Sequence, residues 1–231
     1  MPKHFANISG EKIYPTNETL HHLTKVLRVR ADEQIIFCDG NETDYICKII
    51  SSNPFKVDIL RKVPTETESS HKITLYQAIT KADKLEWIIQ KSVELGVCEI
   101  IPVNTKYSIK KNCNIERFAK IAESAAGQSM RGIIPKISQS LDWEIATQHA
   151  KNYDITIIAH EKEESQTIKN ILTEQHKKIA VWIGSEGGFA SEEISAAQKL
   201  GFCAVTLGKR ILRAETASIV AISQINMLLE N

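Results

Sequence analysis

The chain has 231 residues, 42% of them hydrophobic, and a formal net charge of +1, which is typical of a globular protein with one large domain or two smaller ones. Neither a run of the ~18 apolar residues of a membrane-spanning helix nor a secretory signal is present, so we expect a cytoplasmic protein without a membrane partner. The five cysteines are odd in number and lack CxxC spacing. The sequence therefore supports neither a disulfide framework nor a metal site.

Basic residues are concentrated in the middle of the chain. From Lys72 to Ile137 there are eleven Lys/Arg against six Asp/Glu, whereas residues 1–71 are close to balance. A basic region on a neutral chain is compatible with a surface that binds RNA. Ordinary solvated charge explains the same pattern equally well.

The first 70 residues predict a small antiparallel β-barrel. A helix is expected over Thr19–Arg28, where leucines recur at helical spacing. Good turn sequences separate the next three strand-like runs, which favours hairpins. These runs are Gln34–Cys38, Tyr45–Ser51 and Phe55–Val63. The polar stretch Val63–His71 lacks periodicity and is the best linker, so we expect domains at 1–70 and 71–231.

From Lys72 onward strands and helices alternate, which predicts an α/β domain with a parallel sheet covered by helices on both faces. The predicted strands are Ile73–Thr80, Ile100–Val103, Ile155–Ala159, Ile179–Ile183 and Ala204–Leu207. The predicted helices are Lys84–Leu95, Ile115–Gln128, one that begins after an N-cap at Ser191, and Ala214–Leu229.

Two glycine-punctuated segments, Ile183–Phe189 and Leu207–Ala217, each lie between a strand and a helix. Glycine allows close backbone approach, so two such junctions indicate one composite ligand site. The first segment is neither a P-loop nor a nucleophile elbow, and no dinucleotide fingerprint is present, which argues against a dinucleotide-dependent enzyme. Taken alone, the first segment is equally consistent with a simple tight turn that binds nothing. The arginines of the second segment are also consistent with an ordinary solvated surface.

Two further polar segments are Lys81–Gly96, which forms a helix from a strand end, and Gly127–Arg131 followed by Pro135. Each alone is more typical of surface than of function. Together and in this order, the segments resemble the signatures of the RsmE family of SPOUT RNA methyltransferases: K-G-D-R-x-E-W-I-I-Q-K-x-x-E-L-G, E-Q-S-x-R…P, I-G-P-E-G-G-F and L-G-x-R-I-L-R-x-E-T-A. His21–Arg28 matches the N-terminal H-x-x-x-V-L-R signature. Three positions depart from the family pattern: Ala82, Gly127 and Ser185 replace the usual glycine, glutamate and proline.

This resemblance covers almost the whole chain. It implies an α/β SPOUT domain tied in a deep C-terminal trefoil knot, a PUA-like N-terminal β-barrel that docks RNA, and a homodimer. It also implies methylation of uridine N3 in 16S rRNA of the small ribosomal subunit, with S-adenosyl-L-methionine as methyl donor. The cofactor-binding residues implied are Ala159, His160, Glu161, Ile183, Gly184, Ser185, Gly187, Gly188, Leu207, Gly208, Ile211, Leu212, Arg213 and Thr216.

The motif positions also provide candidates for catalysis and RNA binding. Proton removal from N3 needs a base or a cation that stabilises the uracil anion, so we expect Arg131, Arg213 and Glu186 to be catalytic. The expected RNA-binding residues are Lys3, Arg28, Arg30, Lys81, Lys84, Arg131 and Arg210. Two alternatives stay open: a SPOUT methyltransferase that acts on guanosine N1 or a ribose 2′-hydroxyl, and a ribosome-binding factor without catalysis.

Overall fold

The computed structural model describes residues 1–109 and 113–230. The chain divides into two compact units, the first made of Met1–Glu68 and Glu123–Ile134, the second of Ser69–Ala122 and Pro135–Asn231. The stretch 123–134 thus belongs to the first unit, although it lies beyond the predicted domain boundary near residue 70.

The first unit is built on β-strands. Its strands are β1 (Lys3–Phe5), β2 (Asn7–Ser9), β3 (Lys12–Tyr14), β4 (Gln34–Cys38), β5 (Thr43–Ser52) and β6 (Phe55–Pro64). Four of them form one sheet in the order β1-β4-β5-β6, and β2 pairs with β3. The pairing is antiparallel except between β1 and β4. The three strands predicted from hairpin patterns are confirmed, whereas β1 to β3 are too short to show a period.

The predicted helix over Thr19–Arg28 is only partly correct. Helix α1 (Asn17–His21) begins where the Thr16 hydroxyl accepts a hydrogen bond from Thr19 N at 3.1 Å. It then widens into a π-helical turn over His22–Val26. The leucine spacing nevertheless identifies a residue that packs in the core, since Leu23 is fully buried in the core of this unit.

The second unit is an α/β domain. Its strands are β7 (Lys72–Ala78), β8 (Glu99–Asn104), β9 (Lys136–Ile137), β10 (Leu141–Asp142), β11 (Ile155–Ala159), β12 (Lys178–Ile183) and β13 (Cys203–Val205). They form a parallel sheet in the order β10-β8-β7-β12-β11-β13, with β9 paired to β8. The predicted parallel α/β arrangement is therefore confirmed.

Among the described residues, six α-helices follow β7 in the chain. They are α2 (Ala82–Glu94), α3 (Ile115–Gln128, of which the residues from Glu123 onward belong to the first unit), α4 (Trp143–His149), α5 (Ile168–Ile171), α6 (Ser191–Lys199) and α7 (Ala214–Leu229). The predicted ends of α3 and α7 are correct. The N-cap prediction at Ser191 is wrong by one residue, because Ala190 holds that position and its N–H donates to the Glu193 carboxylate at 2.8 Å.

A buried aromatic cluster fixes the sheet on one face. Tyr76 of β7 and Trp182 of β12 stack in parallel with their ring centroids 4.5 Å apart. Both side chains are fully buried, and Phe189 and Phe202 pack on the same cluster. In the described part of the chain, no helix is long and apolar enough to cross a membrane.

Candidate active site

The site lies where neighbouring strands of the second unit end. Strands β7, β12, β11 and β13 are parallel and adjacent, so their carboxyl ends meet at one edge of the sheet. This edge is where parallel α/β sheets place their ligands. The two glycine segments begin here, at the ends of β12 and β13.

The loops at this edge enclose a cavity of about 770 Å³, a size suited to a nucleoside-sized ligand. All the predicted cofactor-binding residues line it except Thr216, which is exposed on the first turn of α7. The lining residues outside that prediction are Lys84, Glu186, Thr206, Lys209, Arg210, Ala214 and Ala217. The structure therefore brings the two glycine segments together around one space.

Gly184 and Gly188 form a cradle that excludes side chains. A Cβ atom on Gly184 would lie 2.8 Å from the carbonyl carbon of Gly188, and Gly188 itself has φ of +67°. The Gly188 N–H donates to the Ser185 carbonyl at 2.9 Å, which closes the turn. Glycine is thus required at both positions, and the backbone itself forms this wall of the cavity.

Tyr107 supports the same turn from outside the cavity lining, and sequence reasoning missed it. The Ser185 hydroxyl donates to the Tyr107 carbonyl at 2.9 Å, and a Cβ on Gly187 would lie 3.0 Å from that of Tyr107. Serine at position 185, where the family commonly has proline, therefore gains a hydrogen bond. No local signal points to Tyr107, because the contact spans nearly 80 residues of sequence.

A buried polar network connects this turn to the last helix. The Gln77 amide donates to the Gly184 carbonyl at 3.3 Å, and the Ser218 hydroxyl of α7 donates to the Gln77 side-chain oxygen at 2.7 Å. Both side chains are fully buried, so these bonds form away from water. They fix the positions of the end of β7, the glycine turn and α7 relative to one another.

Glu186 is held as an anion by hydrogen bonds from the backbone and from Lys84. The Lys84 Nζ atom lies 3.2 Å from Glu186 Oε1, and 3.9 Å from Glu215 Oε2. Partial burial acts to raise the pKa of Glu186, but hydrogen bonds from backbone N–H groups and from Lys84 outweigh it and lower the pKa below its usual value. Glu186 is therefore ionised at neutral pH.

Two more polar side chains, those of His160 and Glu161, line the cavity from the loop after β11. The His160 Nδ1 atom lies 3.6 Å from Glu161 Oε2 and is buried without a hydrogen-bond partner among the described residues. The Glu161 carboxylate lies against Gly188, where a Cβ would approach it to 3.1 Å. A buried, unpaired ring nitrogen beside a cavity is a group that a bound ligand can satisfy.

Arg213 and Arg210 lie on the opposite loop, and both are exposed and line the cavity. Arg213 occupies the N-cap position of α7, with extended backbone angles of −66° and 154°. It thus places a cation beside the unpaired N–H groups of a helix start, a combination that favours negative charge on a ligand.

Arg131 and Lys3 lie elsewhere, in the first unit, and both are buried. Arg131 donates to Glu68, and Lys3 pairs with Asp44 at 2.6 Å and donates to the Met130 carbonyl. Neither residue lines the cavity. These positions do not support the expected catalytic role of Arg131, or the phosphate contacts expected of Arg131 and Lys3, because both cations are enclosed by protein partners.

Arg28, Arg30 and Lys81 are exposed, as an RNA contact requires. Arg28 has a positive φ of 52°, at the point where the π-helical turn ends. In the described ranges, no group of three or more His, Cys, Asp or Glu side chains is arranged to hold a metal ion.

Comparisons with known proteins agree with this architecture. Residues 67–226 match the family model for an RNA methyltransferase domain, and residues 15–60 match the RNA methyltransferase PUA domain. The fold and the site thus define an RNA methyltransferase of the α/β class. The chain is also 36% identical to ribosomal RNA small subunit methyltransferase E of Mesomycoplasma hyopneumoniae, over 97% of this chain and 98% of the relative.

Two solved structures are similar over nearly their full length. One is ribosomal RNA small subunit methyltransferase E of Neisseria gonorrhoeae bound to S-adenosyl methionine, with 30% identity, a TM-score of 0.88 and coverage of 99% and 98% of the two chains. The other is a Legionella pneumophila methyltransferase with bound SAM, with 29% identity, a TM-score of 0.89 and coverage of 97% and 96%. The chain belongs to the ribosomal RNA small subunit methyltransferase E family, which confirms the resemblance found in its motifs.

Proposed function

We propose that this protein transfers a methyl group from S-adenosyl-L-methionine to N3 of a uridine in 16S rRNA. The observation that carries the proposal is the single cavity built by the loops after β11, β12 and β13. Membership of the methyltransferase E family supports the substrate, and the two similar structures with bound cofactor support the methyl donor.

The residues present fit this cofactor. The glycine turn offers backbone groups rather than side chains, which suits recognition of an adenine and a ribose. Ile183, Leu207 and Leu212 provide apolar contacts, and His160 has an unpaired ring nitrogen facing the same space. These residues would hold the nucleoside part of the cofactor.

When bound, the cofactor supplies a methyl group made electrophilic by a sulfonium. The protein must align uridine N3 with that methyl carbon and stabilise the charge left when N3 loses its proton. Arg213 is suited to the second task, since it is a cation that lines the cavity at a helix start. Glu186 is ionised and is the proposed proton acceptor, although its lowered pKa makes it a weak base.

The target uracil must leave its stack to reach the cavity, as in other enzymes that modify bases. Arg28, Arg30, Lys81 and Arg210 are exposed and are proposed to contact RNA phosphates. In the proposed domain assignment, residues 1–70 dock RNA and residues 71–231 carry the methyl transfer, although the stretch 123–134 folds with the first unit. The substrate is proposed to be the small ribosomal subunit in the cytoplasm.

The finer fold is also a proposal. A trefoil knot is supported by the contact between the β11–β12 connection and the chain after β13, where Thr206 N donates to the Gln166 carbonyl at 2.8 Å. Beyond this contact, α7 packs against α2 and β12. A closed barrel in the first unit is supported by Ile8, Ile13 and Val57, which pack on the same core as β4 and β5.

A homodimer with α7 at its interface is supported by Met227, whose side chain near the end of this mainly apolar helix is 76% exposed. A monomeric mass by light scattering would rule out this part of the proposal.

The decisive experiment is methyl transfer from labelled S-adenosylmethionine to small ribosomal subunits from a strain that lacks this protein. Nucleoside analysis of the digested rRNA is expected to show N3-methyluridine. A different methylated nucleoside would support methyltransferase activity but rule out uridine N3 as the target. Absence of both methyl transfer and cofactor binding would favour a ribosome-binding factor without catalysis.

A further inference from the structure

A second cavity lies at the carboxyl ends of β8 and β10, which are neighbours in the parallel sheet of the second unit. Its volume is about 600 Å³, and none of its lining residues also lines the first cavity, at the ends of β11, β12 and β13. Three segments surround it: 104–106 at the end of β8, 142–144 where β10 leads into α4, and 192–193 in the first turn of α6. It is therefore separate from the proposed cofactor site.

The lining of this second cavity is strongly acidic. Its charged groups are Asp142, Glu144, Glu192, Glu193 and Lys106. Four carboxylates against one ammonium leave a formal charge of −3. The N-termini of α4 and α6 each add at most about half a positive charge, so the cavity stays negative by about two charges. Such a cavity repels the phosphates of RNA and favours a cation.

Asp142 and Glu144 carry the negative charge that the cavity itself does not neutralise. Among the described lining residues, Lys106 is the one cation, and it already pairs with Glu192. Glu193 is buried, and its carboxylate accepts hydrogen bonds from two backbone N–H groups, each at 2.8 Å. Asp142 and Glu144 are both exposed. Their carboxylates are therefore the groups that a cation entering from solvent would meet.

Thr105 adds a polar group that lacks a partner. The residue lines the same cavity and is only 5% exposed, and its Oγ1 atom has no hydrogen-bond partner among residues 1–109 and 113–230. The neighbouring Ser108 hydroxyl does not serve it, because that hydroxyl accepts from the Thr105 N–H and donates to the Thr105 carbonyl, both at 2.9 Å. An unsatisfied buried hydroxyl is costly, so a ligand that brings a donor into the cavity would stabilise this group.

Trp143 gives the cavity an aromatic wall. Its ring packs edge-on against Trp182, with the centroids 5.2 Å apart, and is tilted against Phe189 at 5.8 Å. These contacts fix the ring, yet Trp143 is only half-buried and lines the cavity. A guanidinium stacks on an aromatic face and is more weakly hydrated than an ammonium. The wall therefore favours arginine over lysine.

We propose that this cavity binds an arginine side chain from a basic peptide segment of a protein partner. The guanidinium stacks on Trp143, pairs with Asp142 and Glu144, and donates to Thr105 Oγ1. Its five donors in a planar fork can serve two carboxylates and a hydroxyl together, whereas an ammonium has three donors and no plane to stack. The inference is independent of the proposed function and adds a protein contact to a chain whose other proposed ligands are RNA and a cofactor.

The test measures peptide binding by fluorescence anisotropy at low ionic strength. One labelled peptide carries four arginines separated by glycines, and a second carries lysines at the same positions. The wild type is expected to bind the arginine peptide about fivefold more tightly than the lysine peptide, because only the guanidinium stacks on Trp143. Glu144→Gln is expected to weaken the arginine peptide about fivefold, the effect of losing one charge-assisted hydrogen bond.

Two further variants give results that a structural role would not. Thr105→Val is expected to weaken the arginine peptide about threefold without lowering the urea midpoint, because the hydroxyl it removes has no partner in the free protein. Lys106→Met removes the cation of the cavity and frees Glu192, so it is expected to tighten peptide binding about twofold or more. A site for an anion would respond to Lys106→Met in the opposite direction.

Glu174→Gln is the matched control. Glu174 is an exposed carboxylate of the same unit, and it does not line the second cavity. Its substitution changes the net charge by the same amount as Glu144→Gln, and it is expected to leave both peptide affinities unchanged. Binding of S-adenosylhomocysteine is expected to be the same in every variant, because the two cavities share no lining residue.

Four results would overturn the inference. The first is the absence of arginine-peptide binding by the wild type. The second is equal affinity of the wild type, Glu144→Gln and Thr105→Val, which would place the peptide elsewhere on the surface. The third is weaker binding by Lys106→Met, which would indicate an anion site. The fourth is equal affinity of the wild type for the two peptides, which would leave an unselective acidic surface.

Discussion

Arg131 and Glu68 form a buried ion pair in the first unit, with Arg131 Nη2 2.7 Å from Glu68 Oε2 and only 4% and 12% of the two side chains exposed. Glu68 Oε1 also accepts hydrogen bonds from Arg131 Nε at 3.2 Å and from Gly132 N at 2.9 Å. One carboxylate therefore anchors the backbone that follows α3. This geometry assigns a structural task to a residue whose motif position predicts catalysis.

Arg131→Met is expected to lower the free energy of unfolding by about 3–5 kcal/mol, because Glu68 would be left as an unpaired buried charge. Urea unfolding of the wild type and the variant measures the loss. The double variant with Glu68→Gln is expected to recover much of it. Arg117→Met is the control: its pair with Glu86 is exposed, so its cost is expected to stay below about 1 kcal/mol. Wild-type stability with loss of methyl transfer would instead support catalysis by Arg131.

Gly184→Ala is expected to weaken S-adenosylhomocysteine binding about tenfold or more, because the new Cβ would force the turn apart at Gly188. Calorimetry measures the change. Gly10→Ala is a suitable control, since Gly10 has φ of +60° in the first unit and an open space around its Cβ position. That control is expected to cost about 1 kcal/mol of stability without changing the affinity. Equal affinities for Gly184→Ala and the wild type would show that the cradle is dispensable.

The cofactor loops could be predicted from sequence because their chemistry is local. Gly184, Gly188 and Gly208 lie in short segments between a strand and a helix, and Gly188 and Gly208 adopt positive φ in the structure. Strand and helix periods place such segments at the carboxyl edge of a parallel sheet. The family motifs then indicate which of these loops lie close together. For this reason the predicted cofactor-binding residues, apart from Thr216, line one cavity.

The contacts that could not be predicted from the sequence are non-local. Burial of Lys3 depends on Asp44 and Met130, and burial of Arg131 depends on Glu68, contacts that span 41 to 127 residues of sequence. A sequence motif contains a charged residue but not its distant ion-pair partner. A buried cation therefore cannot be distinguished, from the motif alone, from an exposed cation that could bind RNA. Gly127 shows the same limit: a Cβ there would lie 2.9 Å from the Lys3 carbonyl oxygen, which explains a glycine where the family usually has glutamate.

The salt dependence of RNA binding is expected to differ between variants of an exposed cation, Arg30, and of a buried cation, Lys3. Arg30→Gln is expected to weaken binding to small-subunit rRNA and to reduce the slope of log K against log salt by about one, because one phosphate contact is lost. Lys3→Met is expected to leave that slope unchanged while lowering stability, since Lys3 is enclosed with Asp44. Filter binding across a salt series measures both slopes. A reduced slope for Lys3→Met would contradict the buried position of its ammonium.

Cys38 and Cys47 are expected to resist thiol reagents in the native protein. Burial is the main cause that raises the pKa of each thiol to about 11 from an ordinary value of 9.0, so both remain protonated at pH 8. Partly exposed Cys113 and Cys203 are expected to react first with iodoacetamide, as followed by peptide mass spectrometry.

The same two thiols predict how stability falls at alkaline pH. A thiol with a raised pKa binds its proton more tightly in the folded state. Its contribution is therefore complete below pH 9.0 and is lost as the pH rises towards 11, by up to about 2 kcal/mol per thiol. Urea unfolding at pH 8, 9, 10 and 11 measures the decline, and Cys47→Ala is expected to reduce its size while lowering stability at pH 8. Rapid labelling of Cys38 or Cys47 at pH 8 in the absence of urea would contradict both expectations.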